Sequence, residues 1–383
     1  MRFLFACGGT AGHINPAIGV AGRLRELIPN CEILFVGAEG RMETELVPQE
    51  GYEIRTVRVS SISRSISLNG LRHNMRAVRD LLGAMPACRK IIRDFKPDVV
   101  IGTGGYVCYP VLSTAAKMGI PTVVHESNAE PGLTTRKLEK SATMILVGFE
   151  EARENYRYKD KIRVTGTPVR MGFAGGELEP GQQEEAKAAL CIPAEQKLVV
   201  SVWGSLGATE MNKTVGGLIS MAMEEKPFRL IHSAGKRGIG PMTTYMKEQL
   251  QLQDWDEDGF NVRDYIFDMS TVMTAADLVL CRSGASTLAE LTALGKPAVL
   301  VPSPNVVNNH QEKNARVLER AGAARVIVEK DATAEVLYRT VTELLADSER
   351  LKNMAENMRS MAVQNATDEI TSLILTVVED KEN

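Results

Sequence analysis

Gly8-Gly9-Thr10-Ala11-Gly12-His13 follows a short apolar run and leads into a helical pattern. A glycine turn at a helix N-terminus presents backbone N–H groups, which suit an anion or a sugar hydroxyl. The turn is neither G-x-G-x-x-G nor a loop ending in G-K-[ST], so both common nucleotide fingerprints are absent. A plain strand-to-helix turn would have the same sequence. Asn15-Pro16 reads as the helix opening, with Asn as N-cap and Pro at the first helical position. A helix N-terminus disfavours an imidazolium, so His13 should stay neutral and able to accept a proton from a hydroxyl. A histidine that only hydrogen-bonds locally fits the same spacing.

Five more clusters have chemistry-bearing side chains after apparent strands. Gly102-Thr103-Gly104-Gly105-Tyr106-Val107 is a second glycine-rich turn in the same half of the chain. His125-Glu126-Ser127-Asn128 ends the next strand, and its spacing is not the H-E-x-x-H of a zinc protease. In the other half, Gly204-Ser205-Leu206-Gly207 could cradle phosphate oxygens, and Trp203 before it excludes a G-x-S-x-G nucleophile elbow. Cys281-Arg282-Ser283-Gly284-Ala285 runs into Ser286-Thr287-Leu288-Ala289-Glu290, with Ser286 a candidate cap. The Glu290 carboxylate can accept two hydrogen bonds from a ribose diol, or serve its own first turn as a cap. Asn308-Asn309-His310-Gln311 could read sugar hydroxyls or be a polar loop with an N-cap. None of the six cysteines has C-x-x-C spacing, so they read as free thiols rather than metal ligands.

These clusters need strands to hold them. Apolar runs fall at Phe3–Cys7, Glu32–Val36, Ile54–Val59, Val99–Gly102, Thr122–His125 and Met144–Val147. After a break come Leu198–Val202, Arg229–His232, Asn261–Asp264, Leu278–Cys281, Ala298–Val301 and Ala324–Val328. Continuous apolar strands alternating with amphipathic helices mean parallel sheets covered on both faces. Twelve strands exceed one compact doubly wound sheet, and Gly166-Thr167-Pro168 with the glycine-rich stretch after it marks a boundary. Each half opens with a strand, a glycine turn and a helix. The tail from Ala332 reads as three helices.

The 383 residues are 44% hydrophobic and 24% charged, which excludes disordered, collagen-like and disulfide-scaffold chains. The apolar start is too short for a signal-peptide core, and no run approaches a bilayer span, so a soluble or peripheral cytoplasmic protein is expected. The net charge of −3 divides into +6 over residues 1–165 and −9 over 166–383. Arg55–Lys96 alone carries ten basic against two acidic residues, interleaved with Ile62, Ile66, Leu68, Leu71, Met75, Val78, Leu81 and Leu82. Arg72, Arg76 and Arg79 stand in it as candidate contacts to an anionic membrane surface. A solvated basic helix face is the other reading. Nucleic acid is disfavoured, because aromatics are only 5% and no recognised binding motif appears.

In this order along the chain, the clusters resemble the MurG family of bacterial glycosyltransferases, together with Gly166-Thr167-Pro168-Val169-Arg170. The resemblance runs from Gly8 to Ala366. It implies an α/β fold of the GT-B type, with two Rossmann-like parallel-sheet domains facing a central cleft and a helical C-terminal tail. Residues 1–165 would form the acceptor and membrane-facing domain, and 166–383 the donor domain. The implied reaction is inverting transfer of N-acetylglucosamine (GlcNAc) from UDP-GlcNAc. Its acceptor would be the C4 hydroxyl of the N-acetylmuramyl residue of lipid I, the undecaprenyl-diphosphate-linked pentapeptide. The product would be lipid II for peptidoglycan synthesis.

By the same resemblance His13 is the base, with Asn128 and Glu126 orienting the acceptor. Donor positions fall on Thr10, Ala11, Gly12, Asn128, Arg170, Ser205, Ile266, Ala285, Ser286, Thr287, Leu288, Ala289, Glu290 and Gln311. Ile266 would touch uracil, Glu290 the ribose, Gln311 the sugar, and Arg170 and Ser205 the diphosphate. Gly9, Gly104, Gly105 and Tyr106 would form acceptor and diphosphate loops. Trp203, Leu206, Ser127 and Ser286 depart from the commoner residues of the family at their positions. No Asp-x-Asp motif lies near the donor loops, so no cofactor or metal is expected to be obligatory. The implied setting is peripheral, on the cytoplasmic face of the cell membrane, with a cell-wall synthesis complex as a further partner. The alternatives are another GT-B enzyme, such as a glycolipid glycosyltransferase or a UDP-GlcNAc 2-epimerase, and a non-catalytic nucleotide-sugar-binding protein.

Overall fold

A computed structural model describes every residue except 61–67, 170–172, 174–178, 205–207, 364 and 383. Two compact units divide the chain: residues 1–171 with 365–383, and residues 172–364.

Unit 1 holds a seven-stranded parallel sheet of β1 (Arg2–Cys7), β2 (Glu32–Ala38), β3 (Glu53–Val57), β4 (Val99–Gly104), β5 (Thr122–Glu126), β6 (Met144–Val147) and β7 (Ile162–Val164). Its helices before the second unit are α1 (Ala11–Leu27), α2 (Glu43–Gln49), α3 (Leu68–Phe95), α4 (Cys108–Lys117) and α5 (Leu133–Leu138). β1 is buried on both faces, which is why its sequence reads as a continuous apolar run. Phe3, Phe5 and Cys7 pack with Ile14, Ala17, Val20, Ala21 and Leu24, a helical stripe on α1. Leu4 and Ala6 pack with Cys88 and Ile92 of α3 and with Val111, Leu112 and Ala115 of α4.

The strand order is β3-β2-β1-β4-β5-β6-β7. From β1 the chain crosses to β2 on one side, and from β4 it crosses to β5 on the other. The carboxyl ends of β1 and β4 are therefore the switch point where an α/β sheet opens a crevice.

Unit 2 repeats the plan with β8 (Leu198–Val202), β9 (Arg229–Ser233), β10 (Phe260–Arg263), β11 (Leu278–Cys281), β12 (Ala298–Leu300) and β13 (Ala324–Val326). The order is β10-β9-β8-β11-β12-β13, so its switch point lies at the ends of β8 and β11. Helices α6 (Gln182–Ala189), α7 (Thr209–Ala222), α8 (Ile239–Glu248), α9 (Met269–Ala275), α10 (Ala285–Leu294), α11 (His310–Arg320), α12 (Ala334–Ala346) and α13 (Ser348–Ser360) complete it.

The last helix, α14 (Ala366–Glu382), corrects the expectation that all of 166–383 forms one domain. Ile370, Ile374, Val377 and Val378 bury in the core of unit 1 that contains the apolar face of α1. Each such side chain contributes roughly 1.5–3 kcal/mol when fully buried, so the tail is anchored to the first unit. Arg23 of α1 also pairs with Asp368 at 2.5 Å. Spacing reveals an apolar stripe but not which core receives it. β7 went unread because three residues give no legible alternation.

One buried histidine links this fold to pH. His232 on β9 is fully buried, and its Nδ1 lies 3.0 Å from the hydroxyl of Ser201, its register partner on β8. Burial pushes the imidazole down from 6.5 to about 3. Between those values the unfolded chain binds a proton that the folded chain refuses. The stabilising difference is thus complete above pH 6.5 and is lost as pH falls through 3. Replacing His232 with Gln is expected to flatten the fall in denaturant-measured stability over that window. An unchanged slope counts against the assignment.

Candidate active site

The first glycine turn joins β1 to α1. α1 starts at Ala11, with Thr10 as an extended N-cap at φ −146° that makes no side-chain cap. The helix therefore opens earlier than the Asn15-Pro16 pair suggested. Pro16 lies inside it, where it lacks the N–H that would bond the Gly12 carbonyl. This start places His13 in the first helical turn.

The second turn, after β4, meets the first directly. Gly8 N donates to Gly104 O at 3.2 Å, and the Thr103 hydroxyl donates to the His13 carbonyl at 2.6 Å. Gly104 and Gly105 adopt φ +119° and +91°. A Cβ on Gly104 would run into the His13 ring, and one on Gly105 into the Gly8 carbonyl. The two turns thus need glycine twice over, for backbone conformation and for contact. Beneath them Cys108 approaches the Ala6 and Gly104 carbonyls at 3.0 Å each, and burial pushes its thiol up to about 12. Tyr106 is exposed at the rim.

Glu43, absent from the sequence reading, is fully buried here. Its two oxygens accept from Gly9 N at 3.0 Å and Ala38 N at 2.9 Å. Gly9 stands among the residues expected in the acceptor and diphosphate loops, and its N–H already donates to Glu43. No spacing rule separates Glu43 from an ordinary acidic residue at a helix start.

At the end of β5, Glu126 is also buried. It accepts from Asn128 N at 3.1 Å, Asn128 Nδ2 at 2.9 Å, Gly132 N at 2.8 Å and Thr135 Oγ1 at 2.8 Å. Four donors occupy the carboxylate, so its work is to hold Asn128 and the following loop rather than to exchange a proton. His125 lies 2.9 Å from the Gly166 carbonyl through Nε2 and 3.3 Å from Ser127 Oγ through Nδ1. A carbonyl can only accept, so Nε2 carries the proton, and burial lowers the pKa of the ring.

In unit 2 the loops after β8, β10, β11 and β12, with the start of α10, carry the other candidate residues. Ser205 lies outside the described residues, as does Arg170 near the end of unit 1. Trp203 is buried, with the Arg282 guanidinium 5.6 Å from its ring centre. Arg282 is itself fixed by Glu329 at 2.5 Å and by the Val301 carbonyl at 3.0 Å. α10 opens at Ala285 with Gly284 as N-cap, so Ser286 is its second residue and not the expected cap. Glu290 is nearly buried on the second turn, and burial with the Glu290 charge nearby keeps Cys281 up at about 12. The Leu288 side chain is buried, so only its backbone can meet a ligand.

Ser283 donates to the Gln311 carbonyl at 2.8 Å, and Ser303 N donates to Gln311 Oε1 at 2.9 Å. The Gln311 amide is thereby oriented with its NH2 group left to donate. Asn308 and Asn309 enter α11 at φ 58° and 53°, a region asparagine tolerates better than most residues. Ile266 is buried between β10 and α9, and next to it Phe267 is 84% exposed against Tyr265.

The structure brings His13, Thr10, Ala11, Gly12, Gly104 and Gly105 to one switch point. It brings Ala285 through Glu290 and Gln311 to the strand ends of the other sheet. Among the described residues no group of three or more His, Cys, Asp or Glu is placed to hold a metal ion, and no helix is long and apolar enough to cross a membrane. On α3, Arg72, Met75, Arg79 and Leu82 are exposed, while Ala77, Asp80, Ala84 and Cys88 are buried. The Arg76 side chain lies outside the described residues, as do Ile62 and Ile66.

Residues 3–147 match the glycosyltransferase family 28 N-terminal domain, and residues 198–370 match the family 28 C-terminal domain. A relative from Acetivibrio thermocellus is 42% identical, covering 100% of this chain and 99% of its own. It is named UDP-N-acetylglucosamine–N-acetylmuramyl-(pentapeptide) pyrophosphoryl-undecaprenol N-acetylglucosamine transferase. A crystal structure of MurG from Acinetobacter baumannii has TM-score 0.74 at 26% identity, over 98% of this chain and 99% of that one. MnaA from S. aureus, solved with UDP, has TM-score 0.67 at 14% identity over 98% and 96%, which shows a shared fold alone. With both family domains in place and 42% identity to that relative over nearly its whole length, the chain belongs to glycosyltransferase family 28.

Proposed function

We propose that the protein transfers GlcNAc from UDP-GlcNAc to the C4 hydroxyl of the N-acetylmuramyl residue of lipid I, giving lipid II with inversion at C1. The observation that carries this reading is the full-length identity to relatives named for that reaction. The chemistry of the two switch points supports it. His13 takes the proton of the attacking hydroxyl as the O4–C1 bond forms. The bond from C1 to the diphosphate breaks on the opposite face, and UDP leaves. The N-terminus of α10, the loop after β8 and Arg170 stabilise the charge that develops on the diphosphate. Glu290 takes the ribose hydroxyls, and the oriented amide of Gln311 donates to the sugar. The backbone at Ile266 receives uracil.

The deciding assay incubates the protein with UDP-[14C]GlcNAc and a lipid I analogue. Labelled lipid is expected, and turnover is expected to persist in excess chelator. Loss of all turnover in chelator would overturn the metal-free reading. Release of free N-acetylmannosamine without an acceptor would instead make the protein an epimerase. Binding of UDP-GlcNAc with no turnover would make it a non-catalytic binding protein.

The exposed basic and apolar residues of α3 fit a peripheral position on the cytoplasmic face of the membrane, where the lipid acceptor resides. Each basic residue near an anionic surface contributes about 1 kcal/mol. Exchanging Arg72, Arg76 and Arg79 for Glu is therefore expected to weaken binding to phosphatidylglycerol vesicles at least about tenfold. UDP affinity should not change. Sedimentation with vesicles equal to that of the parent protein rejects the membrane role.

A further inference from the structure

We propose that Glu43 is a positioning residue for the transfer reaction, holding the Gly8-Gly9 turn so that α1 presents the His13 ring over Gly104. The inference rests on the reading of His13 as the base. A fully buried carboxylate is uncommon and survives only with good hydrogen bonds. Glu43 has two, and they reach different elements: Gly9 in the turn and Ala38 at the end of β2. The surrounding backbone is shaped to admit it. A Cβ on Gly8 would run into Glu43 Oε1, and a Cβ on Gly37 would lie 2.5 Å from Glu43 Cγ.

From Glu43 the contacts lead on without a gap. Gly9 is tied to Glu43, its neighbour Gly8 to the Gly104 carbonyl, and Thr103 to the His13 carbonyl. The switch point is thereby braced against β2 and α2. Glu43 touches no substrate in this arrangement. It acts through the turn, and its second effect is to use up the Gly9 N–H, so that an anion must find its donors further along α1.

Glu43→Gln is the informative change. Gln keeps the shape but has one acceptor oxygen, so its NH2 group faces one of the two N–H donors. We expect kcat per UDP-binding site to fall at least about tenfold while UDP affinity stays within about twofold. Hydrogen exchange over residues 8–14 should rise, with unit 2 peptides unchanged. In a His13→Ala background the same substitution should cost little more, because the ring it positions is gone. Gly8→Ala, which displaces the carboxylate from the other side, should reproduce the pattern if Glu43→Gln folds poorly.

Unaltered kcat per binding site, full additivity with His13→Ala, or unaltered exchange over residues 8–14 each overturns the proposal. If the parent protein does not transfer GlcNAc at all, the reading of its function fails instead. The exchange measurement then still decides whether Glu43 holds the turn.

Discussion

His13→Ala is expected to lower kcat by about 10²–10⁴-fold, the usual worth of a positioned general base. That corresponds to about 3–5 kcal/mol of lost transition-state stabilisation. UDP affinity should be nearly unaffected, because the donor contacts proposed above for Glu290, Gln311 and the N-terminus of α10 belong to unit 2. The loss is not expected to come from unfolding. The Thr103 hydroxyl holds the backbone carbonyl of residue 13 at 2.6 Å whatever side chain stands there, and the first helical turn closes on the Thr10 carbonyl. His13 is only partly buried, so truncation leaves a small gap above Gly104 rather than a core cavity. The pH–rate profile separates base from bystander. Loss of a base removes the acid limb of kcat/KM, whereas loss of a local hydrogen bond lowers the whole profile and leaves its shape. A kcat equal to that of the parent protein would leave His13 with a local role only.

Much of this site was legible before the fold was known, and the reason is physical. Strands buried on both faces must be apolar throughout, so runs such as Phe3–Cys7, Val99–Gly102 and Leu278–Cys281 stood out wherever a helix pattern followed them. A more polar run, Arg229–His232, showed through its apolar centre at Leu230 and Ile231. In a doubly wound sheet the ligand loops are the strand ends at the switch point. Gly8–His13 and Gly102–Val107 therefore had to meet once β1 and β4 were neighbours. What stayed hidden depends on tertiary contact alone. The helix start at Ala11 was masked by Asn15-Pro16, which is a good opening signal placed inside an established helix. The tail helix α14 was placed with the second domain because its stripe of Ile370, Ile374 and Val378 fits any apolar groove, and only the fold shows that the core of unit 1 receives it.

The carboxylates show the same divide. Glu126, Glu43 and Glu290 are all buried, yet nothing in their spacing tells them apart from surface acids. Only the partners assign them. Four donors make Glu126 a clamp on Asn128, and two backbone donors on separate elements make Glu43 a brace. A residue type in a motif gives the chemistry it could do, and the count of hydrogen bonds already satisfied decides whether it is free to do it.

Gly104→Ala tests whether the two turns form one machine. Its φ of +119° is a conformation that L side chains rarely adopt, and holding Ala there costs about 1–3 kcal/mol. The new Cβ would also run into the His13 ring at Nδ1, Cε1 and Cγ. The ring must rotate or the turn must retreat, and either moves the base from the acceptor hydroxyl. A displacement of about 1 Å at a reacting group costs about 10²-fold, so kcat should fall by that order. UDP binding, proposed for unit 2, should be unaffected. Strain alone would give part of the same loss, and the double variant separates the two causes. With His13 already replaced by Ala the clash disappears, and Gly104→Ala should then cost only what backbone strain imposes. The measured losses should therefore be strongly non-additive. Simple additivity would mean that Gly104 serves the turn and not the ring, and the coupling between the two glycine loops would have to be abandoned.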